Sequence, residues 1–303
     1  MMKRLLSILL AALMIFALTA CGSAPSEPEK TEGSTVEAEP ETAVPEKQDT
    51  KTAYTLEETV LVDNEQCAVT IDSVSESGSD VVVSLMCENK SDTVLMFACE
   101  NAAVNGCMID PLWASEVAAG KKSAEKLTFS KAEMKEYGLT AMDELAFDLA
   151  VYDSENYTGD RIVDDRYTVY PTGLSADDVK YPEHQNSGDD QVIVDNDSCT
   201  FIITGVDPDN IWGYTVKAYV LNKTDSTVTC SWEDVSVNGF MCDPFWATSI
   251  APGCCTLAEI SFSDSQLEEI NVESVDDIEF RLHIYDDAHW DNPFVDSVFT
   301  FNP

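Results

Sequence analysis

Three histidines and ten cysteines are the residues of this 303-residue chain best suited to nucleophilic, acid–base or metal chemistry. His184 falls in a polar stretch and His283 in a strand-like segment, where an imidazole is more often structural or exposed than a base. His289 lies in Asp286-Asp287-Ala288-His289-Trp290-Asp291, the nearest approach to a polar constellation. Asp286, Asp287, His289 and Asp291 form a candidate site for a divalent cation such as calcium, because carboxylate oxygens are hard ligands. The plainer reading is an acidic, solvated turn. Asp207-Pro208-Asp209-Asn210 also reads as a turn, and neither loop has the spacing of an EF-hand. The G-x-S-x-G, H-E-x-x-H, P-loop and dinucleotide-glycine motifs are absent. With 56 Asp and Glu, any carboxylate pair for glycoside hydrolysis is arbitrary. No catalytic residue and no cofactor is assigned, and the expectation is a non-enzyme.

The scaffold that must position these groups is duplicated. VNGCMIDPLWAS at 104–115 returns as VNGFMCDPFWAT at 237–248, and the same offset aligns Asn89-Lys90-Ser91-Asp92 with Asn222-Lys223-Thr224-Asp225 and DELAFDLAVYD with DDIEFRLHIYD. Short segments rich in β-branched and aromatic residues, bounded by polar turns, predict strands in each copy. Val-Asn-Gly predicts a type I′ hairpin in both. Ser130-Lys131-Ala132-Glu133 and Ser263-Asp264-Ser265-Gln266 fit a capping box opening about two helical turns. The fold class is therefore mainly β: two tandem immunoglobulin-like β-sandwich domains, at 59–171 and 191–303, each with one short helix, joined by a polar linker at 172–190.

Comparing the copies sorts the remaining candidates. Only Cys67 and Cys199 correspond; Cys87, Cys99, Cys107, Cys230 and Cys242 face Val220, Trp232, Phe240, Phe97 and Ile109 in the other copy. A disulfide framework holding the fold should survive in both copies, so these cysteines read as small buried hydrophobes. Cys254-Cys255, opposite Lys121-Lys122, is expected to be exposed, placed either to react or to pair between molecules. Asn89/Asn222, Asp92/Asp225, Asn105/Asn238, Asp110/Asp243, Gly120/Gly253 and Tyr152/Tyr285 recur, more through fold maintenance than through a shared site. The N-x-[ST] triplets at Asn89, Asn156, Asn196 and Asn222 read as turns. Trp113 and Trp246 read as core or corner residues. Trp212, Tyr214, Trp232 and Trp290, aromatic in the second copy alone, are the candidate binding residues, suited to stacking on sugars or anchoring a partner, although Trp232 aligns with Cys99 and also suits the core.

Ahead of the copies, Lys3 and Arg4 precede an apolar run ending in Leu18-Thr19-Ala20-Cys21-Gly22, which resembles a bacterial lipobox. Residues 1–20 then read as a lipoprotein signal peptide, and Cys21 as the acceptor of a diacylglycerol. Residues 21–58, rich in Pro, Glu, Ser and Thr, read as a disordered acidic tether. The formal charge of −39 becomes −41 without Lys3 and Arg4, which disfavours nucleic acid and anionic lipid as ligands of the folded part. The lipobox, tether and repeated N-K-[ST]-D … V-N-G-x-M-x-D-P-x-W-A … Y-D pattern resemble uncharacterised surface lipoproteins of low-GC Gram-positive anaerobes with extracellular immunoglobulin-like domains. That resemblance implies an exported sandwich on the outer face of the cell membrane and no particular chemistry. The expected function is a membrane-anchored, non-catalytic binding or adhesion module for an extracellular protein, peptide or glycan. The alternatives are a spacer or accessory subunit of a cell-envelope complex and, more remotely, a metal-binding or hydrolytic enzyme.

Overall fold

The computed structural model describes residues 52–303 except position 287. The expected signal peptide, Cys21, most of the tether, and Asp287 lie outside the described residues. In the first copy the elements run β1 (Thr59–Asp63), β2 (Cys67–Ser77), β3 (Asp80–Asn89), β4 (Leu95–Val104), β5 (Cys107–Met108), β6 (Ala114–Val117), β7 (Lys122–Ser130), α1 (Lys131–Glu136), β8 (Leu145–Asp153) and β9 (Val163–Val169). The second copy repeats them as β10 (Gln191–Asp195), β11 (Cys199–Asn210), β12 (Gly213–Asn222), β13 (Val228–Val237), β14 (Phe240–Met241), β15 (Ala247–Ile250), β16 (Cys255–Phe262), α2 (Asp264–Glu269), β17 (Ile278–Tyr285) and β18 (Val295–Phe301).

Period-2 patterning makes these strands. In β3, Val81, Val83, Leu85, Cys87 and Asn89 point inward while their neighbours are half-exposed. β1-β2-β3-β7 forms one antiparallel sheet; β4 pairs with β5, β6 and β8, and β8 with β9, in the facing sheet. The second copy has the same two layers, as an immunoglobulin-like β-sandwich requires. Both Val-Asn-Gly hairpins form as expected, with Asn105 and Asn238 at φ 49° and 50° and Gly106 and Gly239 at 76° and 78°. Ser263 makes a complete capping box with Gln266, whereas Ser130 makes only the half that accepts from the Glu133 amide.

The recurring polar residues hold turns. Asn89 is fully buried: its Nδ2 donates to the carbonyls of Thr93 (2.8 Å) and Val117 (2.7 Å), and its Oδ1 accepts from the Ser91 amide and hydroxyl. Asn222 does the same with Ser226, Ile250 and Thr224. Asn105 and Asn238 clamp the loops before β8 and β17, accepting from the amides of Asp143 and Glu144 and of Asp276 and Asp277. All nine cysteines from Cys67 onward are free and buried, in keeping with their reading as small hydrophobes. Cys254 and Cys255 are the correction: they are 5% and 4% exposed, covered by the first copy.

That cover is a seam. β5 and β16 meet as parallel neighbours at Cys107 and Cys255, the Cys255 amide donating to the Gly106 carbonyl at 2.8 Å, so that one nine-stranded sheet runs through both copies. Tyr137, the C-cap of α1, donates its hydroxyl hydrogen to the Met108 carbonyl and accepts from the Leu257 amide, each at 3.0 Å. Ile202, Tyr219, Leu221 and Cys255 pack into the apolar cluster of the first copy, and Ala103 and Met108 into that of the second. The linker is docked across this contact: Tyr181 donates to Glu144, and its ring leaves a Cβ on Gly106 only 2.9 Å of room. The end of the expected tether is likewise pinned, with the amides of Thr55 and Leu56 donating to the Pro171 carbonyl.

Asn222→Ala orphans buried backbone groups at about 1–3 kcal/mol each, so a lower urea midpoint with unchanged slope is expected. Leu221→Glu with Cys255→Lys, the residues that the first copy carries at the matching positions, is expected to uncouple the copies. Limited proteolysis then cuts the 172–190 linker faster, and the single melting transition splits in two.

Candidate functional site

The direction of the strands sorts the candidate residues of the second copy. β12 starts beside Trp212 and ends at Asn222; β13 returns through the facing sheet and ends at Val237, next to the Asn238-Gly239 hairpin. Phe262, the last residue of β16 and two before α2, pairs with Tyr214 at the start of β12. The Ile211-Trp212 tip, the Asn238-Gly239 hairpin with β14, and α2 therefore share one end. Trp290 belongs to the other end, because the Ser226 hydroxyl, just past β12, donates to Asp286 at 2.5 Å and Asp286 in turn accepts from the His289 amide. A ten-residue strand such as β12 spans about 30 Å, so Trp212 and Trp290, each 69% exposed, do not share a face. Trp232 is corrected to the core: it is 3% exposed, stacked on Phe280 at 3.8 Å and edge-on to Trp246 at 6.3 Å. Its indole Nε1 has no hydrogen-bond partner among the described residues.

Tyr214 is half-buried and lines a groove of about 470 Å³ with Pro208, Leu267, Val272 and Val275. Ser274, on the same groove, accepts through its carbonyl from Asn238 Nδ2 at 2.7 Å, which ties the groove to the hairpin. On the hairpin, Phe240 and Met241 are 53% and 68% exposed. Phe245 stands out further along the same segment at a φ of 50°, its amide held by Asp243 Oδ1 at 2.7 Å. Gln266 of α2 donates to the Asp243 carbonyl and fixes that loop against the helix. Leu112 adopts the same left-handed conformation on Asp110 in the first copy, also with its side chain in solvent. A bulky residue at positive φ is strained, and both copies spend that strain on showing an apolar side chain.

These residues escape a search for aromatic differences, because Leu112, Ile211 and Met241 are aliphatic and the Phe240 position reads as a strand. The usable signal is substitution toward larger apolar groups at turns. Gly78-Ser79 at the tip of the β2–β3 hairpin becomes Ile211-Trp212, and Cys107 on β5 becomes Phe240. In the first copy the matching end, with β5 and Tyr137, is the surface that grips β16.

The acidic loop has a structural arrangement of its own. Asp286 Oδ1 accepts from the amides of Ala288 (3.0 Å) and His289 (2.8 Å) and lies 2.7 Å from His289 Nδ1, while Oδ2 takes the Ser226 hydroxyl. Both oxygens are thus engaged by donors, and no group of three His, Cys, Asp or Glu among the described residues could hold a metal. Asp291 is exposed. His283 Nδ1 lies 3.0 Å from Glu233 and the ring stacks on Tyr285; His184 pairs with Asp190 at 2.8 Å and stacks on Tyr219 at the seam.

The Ser226 hydroxyl, followed by His289, holds the Asp286 carboxyl below its ordinary value. A depressed carboxylate contributes stability that is present above its unfolded value of about 3.9 and lost as pH falls through the folded value. Asp286→Asn is expected to flatten the acid limb of the stability–pH curve below about pH 4 while leaving melting insensitive to millimolar calcium. A calcium-dependent rise in melting temperature that disappears in Asp291→Ala would restore the cation site.

No protein-family model matches the chain, and no curated protein matches it. Among solved structures, the Salmonella enterica SafA pilin in complex with the SafB chaperone is similar at 13% identity and a TM-score of 0.24, over 80% of this chain and 98% of that one. The YadV chaperone is similar at 11% identity and a TM-score of 0.22, over 73% and 92%. The Amycolatopsis orientalis exo-chitosanase CsxA is similar at 12% identity and a TM-score of 0.23, over 79% of this chain and 26% of that enzyme. Likeness at this level bears on neither chemistry nor partners.

Proposed function

We propose that this chain is a lipid-anchored, extracellular, non-catalytic binding protein whose second sandwich grips the sheet edge of a partner protein. The observation that carries the reading is the unequal use of two equivalent ends. The β5 hairpin of the first copy is seated on β16, whereas its counterpart β14 presents Phe240 and Met241 to solvent, with Ile211, Trp212 and the Tyr214 groove at the same end. Since the one engaged hairpin meets a strand edge, a strand edge is the partner chemistry that the free hairpin fits. The lipobox around Cys21 supports anchoring through lipid, with two or more acyl chains needed for stable attachment. The separation of Trp212 from Trp290 and the burial of Trp232 speak against a common stacking platform for a glycan.

A photo-crosslinking residue at position 241 of the chain on intact cells is expected to mark an edge strand of one protein. Phe240→Asp should abolish the adduct while changing stability by less than about 0.5 kcal/mol. Losing such an anchor costs about 2 kcal/mol or more of binding, some 30-fold in affinity. Adducts that map to a second copy of this chain, or that persist in Phe240→Asp, would overturn the reading.

A further inference from the structure

Cys107 and Cys255 come from different copies and face each other across the seam, with their sulphurs 3.6 Å apart. Their strands are parallel neighbours at this pair. Adjacent strands lie about 4.8 Å apart, inside the roughly 4.4–6.8 Å between Cα atoms that a disulfide spans. The sulphurs need to approach by only about 1.5 Å to reach bonding distance. We propose that Cys107 and Cys255 are a thiol–disulfide modification site that, once oxidised, ties the two sandwiches together covalently at their shared sheet.

Two observations besides proximity favour reaction at this pair. Cys255 lines the cleft between the copies together with Tyr219 and His184, so only this residue of the pair borders a space from which a small reagent would approach. A hydrogen bond with Cys107, aided by the Tyr219 hydroxyl, holds the Cys255 thiol below its ordinary value against the opposing effect of burial. Other thiols lack this setting: burial pushes Cys254, next in the chain, up to about 11 and Cys87, in the other sheet of the first copy, to about 12. The attacking group is therefore Cys255, since the thiolate is the nucleophile.

The oxidant is a low-molecular-weight disulfide. The Cys255 thiolate attacks one sulphur of the oxidant, whose S–S bond breaks and releases the first thiol. Cys107 gives up its proton to solvent and attacks the Cys255 sulphur, forming the protein S–S bond and expelling the second thiol. Two protein thiols lose two electrons and two protons in total, and the oxidant takes up both as two thiols. The pair is separated by 148 residues, so the bond closes a loop that includes most of both sandwiches.

The test is exposure of the native full chain to oxidised glutathione, followed by alkylation and peptide mapping by mass spectrometry. The expected result is a loss of two alkylatable thiols, one peptide pair joining Cys107 to Cys255, and full reversal by dithiothreitol. Cys254→Ser should form the same link; Cys107→Ser should instead hold glutathione on Cys255. In the chain carrying Leu221→Glu alone, which keeps both cysteines, linker proteolysis should be slower in the oxidised form than in the reduced form. A native chain that forms no link, that joins Cys254 instead, or that keeps glutathione on Cys255 with Cys107 intact would overturn the proposal. None of these outcomes depends on the partner protein.

Discussion

One parallel strand contact, at Cys107 and Cys255, where the Cys255 amide donates to the Gly106 carbonyl, makes one continuous sheet out of two sandwiches. Everything particular to this molecule is arranged around it. The glycine is required twice there, by its positive φ and by the Tyr181 ring against the place of a Cβ. Tyr137 repeats the bridge from the side, satisfying one backbone group from each copy with one hydroxyl. A backbone hydrogen bond of this type contributes only about 1 kcal/mol; what the contact supplies is register, which the packing of Ile202, Tyr219 and Leu221 then stabilises through burial. The linker follows the same line, so the polar stretch between the copies is a strap rather than a free hinge.

Around that line, two folds of the same plan have diverged in opposite directions. The face of the second copy that receives the first has become apolar, and the far end of the second copy has gained large side chains on a tip and a hairpin that are plain in the first. The interior has barely changed: the buried asparagines, the asparagine loop clamps and the left-handed Leu112 and Phe245 turns are common to both. Binding chemistry here is thus a matter of which turns and edges were repainted on a conserved frame, in keeping with the general separation of fold from function.

Much of the frame was legible from residues alone because its causes are local. Alternation writes the strands, Asn-Gly writes the hairpins, and Ser263 with Gln266 writes a helix start. Copy-to-copy comparison also identified the cysteines as packing residues, since a bridge within one sandwich should recur in the other. That comparison fails for contacts between the copies, which happen once and have no counterpart to align. The seam, the burial of Cys254 and Cys255, and the Cys107–Cys255 pair were invisible to it for that reason. Trp232 misled as a candidate because a core exchange of Cys99 for tryptophan resembles the gain of a surface aromatic until depth is known. The acidic loop was ambiguous for another reason, since composition cannot distinguish carboxylates that await a cation from one engaged by a serine hydroxyl and two amides.

The contact between the copies joins unlike surfaces, hairpin to strand edge, and a heterologous contact of this kind has no inherent reason to stop after one use. Like units could add indefinitely, each hairpin taking the next edge, and the product would be a fibre. The first copy's own edge carries a feature that opposes such growth. At the positions where Leu221 and Cys255 receive a hairpin, β3 and β7 carry Glu88 and Lys122, paired across the strands at 3.0 Å. An arriving hairpin has to strip water from that ion pair, a desolvation cost set against whatever apolar area the contact buries. Lysines on an open edge are a common guard against such pairing. On the first copy that guard stands at the positions that on the second copy receive a hairpin, so the two edges of one plan differ in what they admit.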